Sequence, residues 1–336
     1  MKNRLLLAIL LVSLASEVVA DEDKELSDDI SNKVSNTFSN KTSNELIESL
    51  QNKQWLHGSE DCKSNDDPAI EVFQYDKSSY ILRQNKCLSY EAPFIYVLVG
   101  EDKILVLDTG ATASEQEFPL YKTVQTLNKK HAEQDNSRNR EVLVIHSHSH
   151  SDHYSADSQF ENQPNVTVVA PNSKGIKEYY AFKDWPEEQT TIDLGGRSVT
   201  IIPTPGHQEE AISIYDTQTK WLLTGDTLYP GVIYVKEWHD YKDSITRLVE
   251  FTRKHKVSAI LGAHIEMTNR AGEYYEIGTI YQPEESGLPL MAADLLMLSS
   301  QLSQHDKSTQ IVLDGLVVEP LGMLPKLISS IVGWFI

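Results

Sequence analysis

The chain has 336 residues, 40% of them apolar and 24% charged, the proportions of a globular protein with room for one large α/β domain or two ordinary ones. Its formal net charge of −19, with no basic run to offset it, excludes a phosphate backbone as a natural partner, so no nucleic acid is expected to bind.

Lys2 and Arg4 precede an apolar run from Leu5 to Leu14, and Val18-Val19-Ala20 stands before the acidic Asp21-Glu22-Asp23. That is the charged, apolar and small-residue order of a secretory signal peptide over residues 1–20; the apolar core is short for a retained membrane anchor. The expectation is a mature chain that starts near Asp21, carries a net charge of −20 once Lys2, Arg4 and Glu17 are gone, and works outside the cytoplasm, periplasmic or secreted. Residues 21–60 are rich in Ser, Asn, Asp and Lys, above all before about residue 46, and read as a linker or disordered lead-in. Asn40-Lys41-Thr42 and Asn165-Val166-Thr167 fit the short glycosylation pattern. Cys62 and Cys87 belong to no CxxC spacing, and in an exported chain they default to one disulfide; a metal thiolate is the alternative.

The hydrolase-sized unit is expected over residues 61–310, with strands from near Ile70. Ile70–Tyr75, Tyr80–Arg83, Phe94–Val99 and Ile104–Leu107 are strand-like and separated by polar turns, which suggests hairpins. A helix is predicted over Ser114–Lys130, then a buried strand at Val142–Ile145, a helix near Ser155, a strand at Val166–Ala170 and a helix at Ser173–Phe182. Ser198–Ile202, Ala211–Tyr215 and Trp221–Thr224 form a second group of strands, followed by a helix at Tyr241–Lys256 and a strand at Val257–Leu261. A long loop with Tyr274, Tyr275 and Tyr281 leads to a helix at Leu290–Gln304. Two groups of strands, each with its own helices, predict an α/β sandwich rather than one doubly wound sheet.

His146-Ser147-His148-Ser149-His150-Ser151-Asp152-His153 follows the Val142–Ile145 strand directly. Imidazole and carboxylate are the ligands that borderline divalent metals prefer, and a solvated turn has no use for four imidazoles. His207, Asp226 and His264 likewise fall at or just after strand ends, where a rigid sheet edge fixes loops and sites are built.

Asp108-Thr109-Gly110, the His-x-His-x-Asp-His pattern of 148 to 153, Pro205-Gly206-His207, Thr224-Gly225-Asp226-Thr227 and Gly262-Ala263-His264 resemble, in order, the five motifs of the metallo-β-lactamase superfamily. The resemblance covers about Ile70 to His264 and implies a four-layer αββα sandwich with its site between two sheets. It implies that His148, His150 and His207 hold one divalent metal and Asp152, His153 and His264 a second, with Asp226 bridging; zinc is the first choice. His146 is outside the pattern and is read as structural or supporting. Asp108 has the look of a residue that orients a ligand imidazole. The implied chemistry is attack on an acyl carbonyl by a metal-bound hydroxide, with Asp152 moving a proton to the leaving group.

An aspartate at 226 resembles the ester, thioester, lactone and phosphodiester hydrolases of the superfamily more than its β-lactamases; the acidic chain has no basic surface for a phosphodiester, so a small-molecule acyl substrate is expected. A β-lactamase-type amide hydrolase and a non-catalytic metal-binding protein are the alternatives. Glyoxalase II carries a similar Gly-Asp-Thr motif, but the Arg/Lys cluster with which it binds glutathione has no counterpart after His264, where Arg270 and Lys307 stand alone. Tyr229 sits three residues beyond Asp226, the offset at which lactonases of the superfamily place a phenol near the substrate carbonyl; it is a candidate catalytic donor, with a packed aromatic as the competing reading. Residues 266–289 follow His264 directly and are expected to act as a lid or as a strap over the sheet edge. Residues 311–336 read as a strand and an apolar tail, whose last part, 321–336, is too short to span a bilayer and either touches a membrane surface or docks on the protein itself.

Overall fold

A computed structural model describes residues 42–322. The stretch expected to be a signal peptide, Asn40 and Lys41 of the first glycosylation pattern, and all but the first two residues of the 321–336 tail lie outside the described residues.

The strands of the first sheet are β1 (Ile70–Gln74), β2 (Ser79–Gln84), β3 (Phe94–Val99), β4 (Lys103–Leu107), β5 (Glu141–Ile145) and β6 (Val166–Val168), in that spatial order. The first four pair antiparallel, and β4, β5 and β6 pair parallel. The second sheet holds β7 (Thr190–Asp193), β8 (Ser198–Pro203), β9 (Ile212–Asp216), β10 (Trp221–Gly225), β12 (Ala259–Gly262) and β13 (Pro289–Leu290), in the order β13-β12-β10-β9-β8-β7. A small third sheet joins β11 (Val232–Val235), β15 (Val317–Pro320) and β14 (Ile311–Val312).

Alternation along the strands explains the layering. In β5, Leu143 and Ile145 face the second sheet, while Val142 and Val144 face out; in β4, Leu105 and Leu107 point inward, and Ile104 and Val106 point outward. The inward set meets Ile201, Ile214, Trp221, Leu223 and Leu261 of the second sheet. The outward set is covered by Leu120, Val124 and Leu127 of the helix Leu120–Gln134. The outer face of the second sheet is covered by the helices Trp238–Lys254 and Ala292–Ser303. Strands buried on both faces read as unbroken apolar runs, as β5 does, and each such side chain contributes roughly 1.5–3 kcal/mol. The expected αββα sandwich is the observed fold.

Three differences from the sequence expectation have local causes. Residues 42–60 are folded, so the lead-in reading of 21–60 is corrected there. The helix Ser43–Gln51 opens on a Thr42/Glu45 capping box, with Leu50 fully buried, and Trp55 packs edge-on against Phe73 and Phe94 at 5.6 and 4.8 Å. A polar average over the stretch hides these few apolar residues. The helix predicted from Ser114 begins instead at Leu120, because Pro119, its N-cap residue, disfavours helical backbone in the residue before it. Short β11 pairs in parallel with β15, which falls in the 311–336 stretch read as a strand, and with β14 they make a third sheet; the four-residue run of β11 is too brief to announce itself.

Cys62 and Cys87 form one disulfide, which ties the folded N-terminal segment to the loop between β2 and β3. Among the described residues no helix is long and apolar enough to cross a membrane.

Candidate metal centre

The edge of the sandwich where β4, β5, β8, β10 and β12 end gathers every metal-binding candidate. The strand β5 ends at Ile145, and the chain then turns through 146–150 into the one-turn helix Ser151–Tyr154, which presents Asp152 and His153. His207 follows β8, Asp226 follows β10 and His264 follows β12. Backbone constraints hold these loops in place. Gly225 has φ +50°, and a Cβ there would lie 2.4 Å from Ser147 Cβ, so only glycine lets the two sheets' loops meet.

Two groups of buried side chains converge, His148, His150, His207 and Asp226 in one, and Asp152, His153 and His264 in the other. In the first, His148 Nε2, His150 Nδ1 and His207 Nε2 form a triangle with sides of 2.9, 3.1 and 3.2 Å. In the second, Asp152 Oδ2 lies 3.1 Å from His153 Nε2 and 3.3 Å from His264 Nε2. Asp226 stands between them: Oδ2 is 3.7, 3.5 and 3.6 Å from Nε2 of His148, His153 and His207, and Oδ1 is 3.4 Å from Nε2 of His264.

The outward contacts of the rings decide which nitrogens carry lone pairs. His207 Nδ1 donates to Tyr234 O at 2.7 Å, His264 Nδ1 to Glu91 O at 3.0 Å, and His153 Nδ1 to Asp108 Oδ2 at 2.9 Å. Ser147 Oγ donates to Asp108 Oδ2 at 2.9 Å, which leaves it to accept from His148 Nδ1 at 3.1 Å. His150 Nε2 lies against the Gln208 amide, with Nδ1 turned inward. Imidazole lone pairs and carboxylate oxygens therefore face one another across gaps that a proton or a cation would fill. His153 Nε2 and Asp226 Oδ1 are buried without a hydrogen-bond partner. Tetrahedral coordination at ~2.0–2.1 Å places ligand nitrogens ~3.3 Å apart, so the observed triangle fits a cation at its centre.

The electrostatics agree. Burial, then the neighbouring imidazoles, holds His148 well below its ordinary pKa, and burial with His207 lowers His150 to about 3, so both stay neutral, as ligands must. Around the second group the carboxylates prevail: against burial, Asp226 and Asp152 raise His264 to about 9. Burial opposes ionisation of Asp152 and Asp226 too, yet the surrounding imidazoles keep both carboxyls well below the usual range. At the second group the carboxylates thus draw a proton or a metal to the imidazole lone pairs.

His146 stands apart. Its Nδ1 contacts Val169 O at 3.0 Å and its Nε2 contacts Asp157 Oδ1 at 2.9 Å, so both nitrogens are engaged away from the centre. Asp108 has φ +68° and accepts from Ser147 N, Ser147 Oγ and His153 Nδ1, which makes its carboxylate the hinge of the histidine loop.

Of the two readings of Tyr229, the structure favours the packed aromatic. Its ring lines the cavity, 5.6 Å from the His264 ring, but its hydroxyl donates to Val232 O at 2.6 Å. A phenol has one proton, and here it is given to the backbone, which favours the packed-aromatic reading of Tyr229 over that of a donor to the substrate carbonyl. The cavity beside the metal candidates measures about 140 Å³ and is also lined by Tyr90, Glu91, Tyr234, Glu266 and Ile277. Glu266 and Ile277 belong to the 266–289 stretch expected to form a lid or strap, though neither was singled out as a residue, and sequence reasoning missed Tyr90, Glu91 and Tyr234. Glu91 directly follows Tyr90 and Glu266 lies two residues after His264, so adjacency to a motif was the available signal.

The sequence profile described as the metallo-beta-lactamase superfamily matches residues 90–264, more than half of the chain. The chain belongs to that superfamily. This metallo-beta-lactamase superfamily member is a hydrolase, and the matched span runs from the cavity wall at Tyr90 to the last ligand candidate, His264. It is similar to the acyl-coenzyme A thioesterase MBLAC2 of Bos taurus, 26% identical over 204 residues that cover 51% of this chain and 72% of that protein. It is also similar to the hydroxyacylglutathione hydrolase of Bdellovibrio bacteriovorus, 27% identical over 88 residues, 26% of this chain and 35% of that one. Among solved structures, a metallo-beta-lactamase from Pontibacter korlensis superposes with a TM-score of 0.43 at 16% identity, covering 70% of this chain and 100% of that one.

Proposed function

We propose that this superfamily hydrolase is a dinuclear, metal-dependent enzyme that cleaves a small-molecule acyl bond, a thioester or ester first and a lactone next. The observation that carries the reading is the position of Asp226, within 3.4–3.7 Å of imidazole nitrogens from both ligand groups. Two divalent cations, zinc by the chemistry of the donors, would be held by His148, His150 and His207 on one side and Asp152, His153 and His264 on the other, with Asp226 shared. When bound, such a pair lowers the pKa of water and polarises a carbonyl oxygen.

The chain supplies the rest. Asp108 and Ser147 hold the rings of His153 and His148 so that Nε2 faces inward. The Asp152 carboxyl, beside His153 and His264 at the cavity, is placed to take a proton and pass it to the departing sulfur or oxygen. The ligand side chains are buried, none more than 8% exposed, which strengthens their electrostatic hold on whatever binds between them.

Support for a thioester comes from the thioesterase and hydroxyacylglutathione hydrolase relatives. A glutathione leaving group is the weaker choice, because Arg270, the first basic residue after His264, is taken up by Glu273 and Glu284. We place the working chain outside the cytoplasm; the residue order of 1–20 and the Cys62–Cys87 disulfide support that reading. The test is metal analysis of the purified chain together with turnover on a panel of esters, thioesters, lactones and β-lactams. His148→Ala should lose bound metal and cut kcat/KM by about a thousandfold or more. Full activity without metal would sink the proposal.

A further inference from the structure

The second ligand group depends on a peptide that belongs to no strand or helix. His264 Nδ1 donates to Glu91 O at 3.0 Å, and a ring held by a main-chain carbonyl is only as well placed as that carbonyl. Glu91 lies in the turn that joins β2 to β3. The next residue, Ala92, is buried and sits in the left-handed region at φ +41°. A residue with a Cβ keeps that conformation only where its surroundings hold it. Past Ala92 the chain is tied again, Phe94 N donating to Ala263 O at 2.7 Å. The Glu91 peptide therefore needs an anchor on its other side.

Lys86 stands at that place. It is 2% exposed, and its Nζ donates to Tyr90 O at 3.0 Å, one residue ahead of the carbonyl that His264 uses. Glu285, Glu266 and Glu91 are near enough to favour its charge, but the group it bonds is a carbonyl. A lysine is costly to bury, and its stem here is packed from two sides. Gly58 of the N-terminal segment has no room for a side chain: a Cβ would lie 2.9 Å from Lys86 Cβ and 1.8 Å from Ile280 O. Cys87, the next residue, is bonded to Cys62 of the same segment. Burial, then Arg83, lowers the Lys86 pKa to about 8. An amine donates in either protonation state, so the bond to Tyr90 O outlasts the charge.

We propose that, within the dinuclear reading, Lys86 is a positioning residue for the second metal: by holding Tyr90 O it fixes the Glu91 peptide, and through it the His264 imidazole beside Asp152 and His153. The first group has a different support. His207 Nδ1 donates to Tyr234 O on β11, a strand paired with β15. Loss of the lysine therefore separates the two groups, weakening one and sparing the other.

Lys86→Met keeps an apolar stem of similar length and removes the donor. Competition with a chelator should show the second zinc ion bound about tenfold more weakly and the first within about twofold. In zinc-loaded protein carrying isotope-labelled histidine, the imidazole N–H signal of His264 should shift and exchange faster with solvent, while that of His207 stays in place. The affinity ratio of parent to variant should be the same at about pH 7 and about pH 9, either side of the Lys86 pKa. A ratio that vanishes at the higher pH would assign the effect to charge and overturn the inference. One measurement needs no variant. Acylation of Lys86 by an N-hydroxysuccinimide ester, read by mass spectrometry on the unaltered chain, should slow about threefold or more when the second zinc ion binds, because coupling is reciprocal. Lys129, 74% exposed, serves as the unchanged reference. Equal weakening of both zinc ions, His264 and His207 signals that move together, or Lys86 acylated alike with and without the second ion would also overturn it. An unaltered chain that binds a single zinc ion or none would strike the dinuclear reading, and this inference with it.

Discussion

Two buried polar clusters sit at opposite ends of the same pair of sheets, and only one of them is complete. At the far end, Arg197 uses all of its N–H groups: on Asp216 at 2.8 and 2.7 Å, on Ser78 O at 2.8 Å, on Val99 O at 3.3 Å and on Ser79 Oγ at 2.9 Å. Asp216 also accepts from the Thr219 backbone and hydroxyl. At the near end, His153 Nε2 and Asp226 Oδ1 find no partner. Buried polar groups that satisfy one another hold a fold; buried polar groups that do not are arranged for something else. Size does not make this distinction. The larger hollow, about 660 Å³ with Arg140, Arg197 and Gln218 in its lining, is at the far end, whereas the metal-capable groups among the described residues are all at the near one.

The contrast can be broken from either side. The largest effect is expected at the complete cluster. Arg197→Met should cost about 3–5 kcal/mol of stability, since it strands the Asp216 carboxylate in the interior, and Arg197→Met/Asp216→Leu should recover most of that; denaturant melts give both numbers. A single variant as stable as the parent would show that the cluster does not hold the sheets. At the incomplete cluster, Asp108→Asn should leave the fold intact but weaken metal binding by about 10- to 100-fold, because Asn offers His153 Nδ1 a poorer acceptor. Competition with a chelator measures it, and unchanged affinity would deny Asp108 its orienting role.

Smaller effects follow. His131, near the far end and bonded to the Tyr80 hydroxyl at 2.9 Å, is lowered to about 4 by burial and then by Arg140 and Lys130. Its folded pKa lies below the unfolded value of about 6.5, so its neutral form contributes stability above that pH, and the contribution is lost as pH falls toward 4. His131→Gln should flatten the fall in melting temperature between pH 6.5 and 4, and an unaltered slope would exclude the residue. The smallest effect is expected of Tyr229→Phe, with kcat within about threefold and about 1 kcal/mol lost where Val232 O goes unpaired. A kcat drop of a hundredfold would restore the catalytic phenol.

Most of the near end was legible in the sequence because its chemistry is written in residue types that packing seldom demands. His148, His150, Asp152 and His153 follow an apolar strand at once, and His207, Asp226 and His264 each follow another. The sandwich was legible for a related reason, since strands covered on both faces must be apolar throughout. What escaped was set by distant contacts. Arg197 looks like any surface arginine until β8 and β9 bring it onto Asp216. The direction of the Tyr229 hydroxyl depends on a turn that offers Val232 O in place of solvent. The helix Ser43–Gln51 is polar by composition, and it is the burial of Leu50 beside Trp55 that makes it part of the domain.

One consequence of the strand-end geometry is mechanical. Of the seven metal-binding candidates, His148, His150, Asp152 and His153 ride on the first sheet, and His207, Asp226 and His264 ride on the second. Neither sheet holds a complete set, so whatever occupies the centre grips both, like a rivet through two plates. Sliding of the plates would pull the ligands of the two sheets apart as it sheared the core that Leu143 and Leu223 share. Loading the site should therefore slow amide exchange in β5 and β10 together, far beyond the loops that touch the ion.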